Sequence, residues 1–186
     1  MNILVCIKQV PDTTEIKIDP VKHTLIREGV PSIVNPFDAC ALEMAVRLKE
    51  KEGGKVVVIS MGPAQAKNAL KECLAVGADQ AFLVTDRAFG GSDTLATSYI
   101  LSRAIAAVEA KKGEKFDLIF CGKQAIDGDT AQVGPEIAEH MDLPHVTLAT
   151  AVEMADGKLH VTRDTDEGHD LVEVSLPALV TVTKTT

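Results

Sequence analysis

The chain has 186 residues, 46% of them hydrophobic and 25% charged, and carries a formal net charge of −8. That mix belongs to an ordinary globular protein with length enough for one sizeable core. The acidic balance argues against a nucleic-acid or anionic-membrane surface, and 3% aromatic residues, with Tyr99 the only tyrosine and no tryptophan, argue against a base-stacking platform.

The first predicted element is a strand over Ile3–Ile7. The N-terminal MNILVCIKQV is too short in apolar residues, and lacks the cationic leader, for a signal peptide. Glu15–Arg27 reads as a β-hairpin with Asp19-Pro20 in its turn. A helix begins at Asn35-Pro36, with Asn at the N-cap, Pro at the first helical position and Asp38 near the positive end of the dipole. Gly53-Gly54 ends it. A strand over Val56–Ile59 leads to a helix from Pro63 to Val76, closed by Gly77. After a strand at Ala81–Val84, a helix runs from Ser92 to Lys111, with Leu101, Ile105 and Val108 on one face and Gly113 as its stop. A strand at Leu118–Cys121 precedes a helix from Thr130 to Asp142, which ends before Pro144. Leu148–Val174 reads as a second hairpin, turning at Asp156-Gly157, and Ala178–Val182 as a last strand.

The five single strands are continuously apolar rather than alternating, as strands buried on both faces of a parallel sheet are. One α/β domain over residues 1–186, with a central parallel sheet, flanking helices and two β-hairpin additions, is the expected fold. Ligands of such a sheet bind outside the carboxyl ends of its strands. No apolar run approaches the ~20 residues that span a bilayer, so no membrane insertion is expected. Cys6, Cys40, Cys73 and Cys121 are too far apart for a zinc motif and read as buried thiols of a reducing cytoplasm. The five histidines are scattered, without a helix-spaced pair for a metal.

Neither a G-x-G-x-x-G fingerprint nor a P-loop occurs. Four other stretches fall where strands end and helices begin: Cys6 to Asp12, Asn35-Pro36-Phe37-Asp38, Phe89-Gly90-Gly91-Ser92-Asp93-Thr94, and GKQAIDGDTAQVG, from Gly122 to Gly134. Glycine-rich backbone at a helix N-terminus offers N–H groups to anions, and Thr94, Ser98 and Thr130 add hydroxyls. Each stretch taken singly is equally an ordinary capped loop. Asp127 and Asp129 have the spacing of an acid–base pair, but no nucleophile or metal accompanies them, and Asp-Gly with a helix cap at Asp129 or Thr130 explains them better. The GGSDT run also resembles the pyrophosphate loop of ATP-pyrophosphatase enzymes, although Phe89 replaces the leading serine and the run lies in mid-chain.

Four stretches together, VCIKQVPDT (5–13), VNPFDACALEMAVRLKE (34–50), SMGPAQAKNALKECLAVGAD (60–79) and DLIFCGKQAIDGDTAQVGPEIAEHMDLP (117–144), resemble the β subunit of electron-transfer flavoprotein. The resemblance implies a Rossmann-like adenine-nucleotide-binding domain, paired as a heterodimer with an FAD-carrying α subunit. It places nucleotide contacts at Cys6, Asn35, Pro36, Phe37, Asp38 and Met61, and along Gly122, Lys123, Gln124, Ala125, Ile126, Asp127, Gly128, Asp129, Thr130, Ala131, Gln132 and Val133. The ligand it implies is AMP in ordinary members or the AMP half of a second FAD in electron-bifurcating ones. Bifurcating members are similar to this chain at GGSDTLATS and DGDTAQVG, so Gly91, Ser92, Asp93, Thr94 and Thr97 are expected to line the extension for a second FAD. On that likeness NADH reduces the second flavin, and the electrons divide between ferredoxin or flavodoxin and, through the α-subunit flavin, an acyl-CoA dehydrogenase. Asp127 and Asp129 are then expected to turn away from phosphate, towards ribose hydroxyls, backbone amides or the helix dipole. Family members continue past Leu176–Thr183 into a dehydrogenase-docking loop and an arm that wraps the α subunit, and neither is expected within these 186 residues.

Overall fold

The computed structural model describes residues 1–12, 20–21 and 30–183. The predicted hairpin at Glu15–Arg27 lies outside the described residues, apart from Pro20 and Val21. In chain order the strands are β1 (Asn2–Cys6), β2 (Gln9–Pro11), β3 (Ser32–Val34), β4 (Lys55–Met61), β5 (Gln80–Val84), β6 (Leu118–Gly122), β7 (His145–Ala155), β8 (Lys158–Thr165), β9 (Gly168–Val174) and β10 (Ala178–Val182). The helices are α1 (Pro36–Glu52), α2 (Lys67–Ala75), α3 (Thr94–Lys112) and α4 (Val133–His140).

Eight strands form one sheet in the order β5-β4-β1-β6-β10-β7-β8-β9. From β5 to β7 every neighbouring pair is parallel. The apolar runs explain this placement, because β1, β6 and β10 have to be covered on both faces. Alternate residues go to opposite sides. Ile3, Val5, Val56, Val58, Leu118 and Phe120 pack against Leu42, Ala45 and Leu48 of α1 and Leu70 of α2. Leu4, Val57, Ile59 and Ile119 pack against Leu101, Ile105 and Val108 of α3 and Ile137 of α4. Burying each such side chain stabilises by roughly 1.5–3 kcal/mol.

The structure departs from the expected elements at five points, the first being that the helix expected from Pro63 begins only at Lys67, after a 3-10 turn over Ala64–Ala66. The segment from Leu148 to Val174 is not a hairpin but part of a three-stranded meander, β7-β8-β9, hydrogen-bonded through β7 to the parallel sheet. Its first turn is the expected one, with Asp156 and Gly157 both at positive φ (51° and 75°). Its second turn, between Thr165 and Gly168, has Asp166-Glu167 at its centre and so lacks an Asn-Gly or Asp-Gly signal. Helix α4 begins at Val133, three residues later than expected, because Asp129 and Ala131 take φ of 53° and 54° and cannot be helical. Its N-cap is Gln132, with no side-chain cap bond, so neither Asp129 nor Thr130 caps it. Cys40 is half-buried, whereas the other three cysteines are buried. Finally, Gln9–Pro11 and Ser32–Val34 pair antiparallel in a separate two-stranded sheet that no sequence pattern marked.

Candidate functional site

Strand order reverses between β1 and β6, since the chain moves from β1 towards β5 on one side and from β6 towards β7 on the other. Main-chain connections leave such a switch point in opposite directions and open a crevice at the strands' carboxyl ends. A cavity of about 390 Å³ lies there. Cys6, Ile59, Met61, Leu101 and Cys121 give it an apolar floor. Lys8 and Gly122 to Ala125 form one wall; Gly91 to Thr94 with Thr97, and Gly128 with Thr130 to Gly134, form the others.

Two buried polar side chains at the start of α1 hold the strand ends in place. Asp38 Oδ2 accepts from the Lys8 N–H (2.8 Å) and Oδ1 from the Gly122 N–H (3.1 Å), which ties the end of β1 to the end of β6. Burial pushes the Asp38 carboxyl from 3.8 up to about 7, against the opposing pull of these hydrogen bonds and of Asn35. Asn35, wholly buried, accepts from the Ile126 N–H (3.0 Å) and donates to the Gln124 carbonyl (2.8 Å). Its side chain makes no helix-capping bond; the loop after β6 uses both of its polar atoms instead. Gly122 has to be glycine, because a Cβ there would lie 2.7 Å from both the Asp38 nitrogen and the Phe37 carbonyl carbon.

The loop from Gly122 to Gly134 is cross-braced on its outer side. Asp127 accepts from Lys8 Nζ at 2.7 Å, and Asp129 from Gln124 Nε2 at 2.8 Å. Left-handed backbone at Asp129 and Ala131 costs about 1–2 kcal/mol at each non-glycine residue, and strain of this kind clusters at ligand clamps. The N–H groups of Val133 and Gly134 open α4 and have no carbonyl within the helix to meet. On the facing wall Asp93 caps α3 through the Ala96 N–H (2.8 Å), and the Ser92 hydroxyl donates to the Phe89 carbonyl (2.8 Å). Thr94 Oγ1 lies 3.1 Å from Glu136 Oε1 and 3.2 Å from Gln132 Oε1, and so clasps the start of α3 to the start of α4.

Of the residues singled out in the sequence, Cys6, Asp38, Met61, Gly91, Ser92, Asp93, Thr94, Thr97, Gly122, Lys123, Gln124, Ala125, Gly128, Thr130, Ala131, Gln132 and Val133 meet at this one cavity. Asn35, Pro36, Phe37, Ile126, Asp127 and Asp129 do not line it. Asp127 and Asp129 accept from side chains, Lys8 and Gln124, partners that the sequence did not point to. Ile59, Leu101 and Cys121 line it without having been named as contacts, as does Gly134, which closed the candidate loop but was not counted among its contacts. Ile59 and Cys121 carry the signal of a strand's carboxyl end, and Gly134 that of a helix start, whereas Leu101 looks like any core leucine. Among the described residues no group of three or more His, Cys, Asp or Glu is placed to hold a metal ion, and no helix is long and apolar enough to cross a membrane.

The electron transfer flavoprotein domain model matches residues 22–186. The chain is 59% identical over 184 residues to the electron transfer flavoprotein subunit beta of Thermoanaerobacterium thermosaccharolyticum, covering 99% of this chain and 68% of that protein. It is 54% identical to subunit CarD of the caffeyl-CoA reductase–Etf complex of Acetobacterium woodii, covering 99% of this chain and 69% of the relative. Protein FixA of Azotobacter vinelandii is 52% identical, with 98% of this chain and 65% of that protein covered.

Proposed function

The chain belongs to the electron transfer flavoprotein family as a β subunit, and from that premise we propose that its cavity holds the adenine-nucleotide half of a second FAD, in a heterodimer with an FAD-bearing α subunit. In this reading the complex is electron-bifurcating: it draws on NADH and delivers electrons to ferredoxin or flavodoxin and, through the α subunit, to an acyl-CoA dehydrogenase. The flavin supplies the redox chemistry when bound, and the protein supplies binding, orientation and electrostatics.

The residues present fit such a group. A diphosphate demands more hydrogen-bond donors than a monophosphate, and the observation that carries the reading is that the starts of two helices, α3 and α4, open on one cavity and are clasped through Thr94 and Glu136. Val133 and Gly134 offer amides from α4. The Asp93 carboxylate already takes the Ala96 N–H, so the free amide that α3 brings to the cavity lining is that of Thr94. Ala131, held at a left-handed φ, lines the cavity beside Thr130 and Gln132. Gly122 lets the main chain approach the ligand closely, Asp38 and Asn35 fix that main chain, and the apolar floor excludes water. The name of the Acetobacterium relative, subunit of a CoA-ester reductase–Etf complex, adds support.

AMP alone at the same place is the second reading, and it leaves the Gly91–Thr94 wall without a ligand group to meet. Quantifying FAD and AMP released from the purified heterodimer separates the two. Two FAD per heterodimer is the expected result; one FAD with one AMP would sink the bifurcating assignment and leave the nucleotide site standing.

A further inference from the structure

Cys6 and Cys121 are register partners on the adjacent parallel strands β1 and β6. Both are buried, both belong to the apolar cluster on the α3–α4 side, and both lie on the cavity floor. Residues in register on neighbouring strands project to the same face, ~4.8 Å apart along the hydrogen-bonding direction. That spacing lies within the roughly 4.4–6.8 Å of Cα separation over which two cysteine sulfurs can be joined. The other two cysteines sit elsewhere: Cys73 and Cys40 pack on the opposite, α1–α2 side of the sheet. A hydrogen bond with Cys6, together with burial, holds the Cys121 thiol well above the ordinary range, and the nearby Asp38 carboxylate adds to the effect.

We propose that Cys6 and Cys121 form a vicinal-dithiol site for trivalent arsenicals on the floor of the cavity, and that its occupancy excludes a nucleotide. The reaction is a condensation. An organoarsenous oxide, R–As=O, meets two thiols; two As–S bonds form, the As=O bond is lost, and the oxygen leaves as water with both thiol protons. Arsenic and sulfur keep their oxidation states, so no oxidant is needed. The surroundings select this chemistry. Peroxides and divalent metals act on thiolates, and the bond to Cys6 together with burial disfavours the Cys121 thiolate. Condensation instead consumes neutral thiols and leaves a neutral adduct, so no unpaired charge is buried.

The dithiol itself stands on strand register, whereas the competition rests on the nucleotide reading above. Both parts are tested by intact-mass analysis of the purified protein, dialysed to remove bound nucleotide and treated with phenylarsine oxide. One adduct per chain is expected, stable to excess monothiol, reversed by a dithiol, and absent from Cys6→Ser and from Cys121→Ser; the paired Cys→Ala variants replace any serine variant that does not fold. No adduct on the wild type, or one that persists in both single variants, would overturn the site. FAD or AMP at ten times its Kd is expected to slow labelling about tenfold by mass action. Labelling that forms but is indifferent to both nucleotides would keep the dithiol and overturn the placement of the nucleotide.

Discussion

At the scale of single residues, Asp38 makes the site sensitive to pH. Its carboxyl titrates near 7 in the folded protein and near 4 in an unfolded chain. Between those values the folded state holds a proton that the unfolded state has lost. The contribution to stability is therefore complete below about pH 4 and is lost as pH rises through about 7, by at most about 1.4 kcal/mol per pH unit. Two carboxyls act in the opposite sense and only in more acid solution. Asp79 is held low because bonds from the Val56 N–H and Lys49 outweigh its burial, and Glu173 is held low by Lys158. Urea midpoints of the wild type should thus fall between pH 5 and pH 7, and those of Asp38→Asn should change less. That variant should also lose about 1–3 kcal/mol, since an amide NH2 cannot accept from the Lys8 or Gly122 N–H. A wild-type midpoint that climbs across the interval would refute this role. The sequence marks Asn35 and Asp38 as a helix start because Asn-Pro followed by an acid is a short-range pattern. Their partners Lys8, Gly122 and Ile126 lie 30, 84 and 91 residues away and leave no local trace.

At the scale of elements, the placement of α4 depends on close approach to the sheet. A Cβ on Gly134 would stand 2.7 Å from Thr181 Cγ2 on β10 and 3.4 Å from Cys121 Cβ on β6. Gly134→Ala should therefore destabilise by about 1–3 kcal/mol through overpacking, despite the better helix propensity of alanine. The clash is with a methyl group, whereas the Thr181 hydroxyl has its own task, accepting from the Leu148 N–H at 3.1 Å. Thr181→Ser removes the methyl and keeps the hydroxyl. Adding it to Gly134→Ala should recover most of the loss, and a double-mutant cycle by chemical denaturation measures that coupling. Purely additive effects would show that α4 is placed by something else. Elements were legible where their signals were local: apolar runs marked the parallel strands, and Pro36, Gly53 and Gly113 bounded helices. The start of α4 was not, because Ala131 adopts a left-handed conformation that its residue type disfavours. Nor was β9, because the turn before it lacks the usual residues and its strand is exposed, with Leu171 70% accessible.

At the scale of the whole molecule, the cavity is where distant parts of the chain depend on one another. Its walls come from the ends of β1, β4 and β6 and the starts of α1, α3 and α4, and Ala131, with its left-handed backbone, lines the same place. The sheet order that brings these together follows from βαβ handedness and from which strands are apolar on both faces, so the meeting point was legible in outline from the sequence. A ligand bound only by the folded state stabilises by RT ln(1 + [L]/Kd), about 2.7 kcal/mol at a hundredfold excess over Kd. For a chain of this length each kcal/mol raises Tm by roughly 2–4 °C, so a nucleotide in this cavity should raise Tm by about 5–10 °C. The rise should keep growing with the logarithm of nucleotide concentration, because mass action has no plateau. The ligands can be ranked by the same measurement. If the wall from Gly91 to Thr94 meets a second phosphate, FAD should shift Tm further than AMP at equal concentration. If AMP matches FAD, that wall does not contribute to binding. A protein stripped of nucleotide whose Tm is unmoved by millimolar amounts of either would remove the cavity from consideration as the nucleotide site.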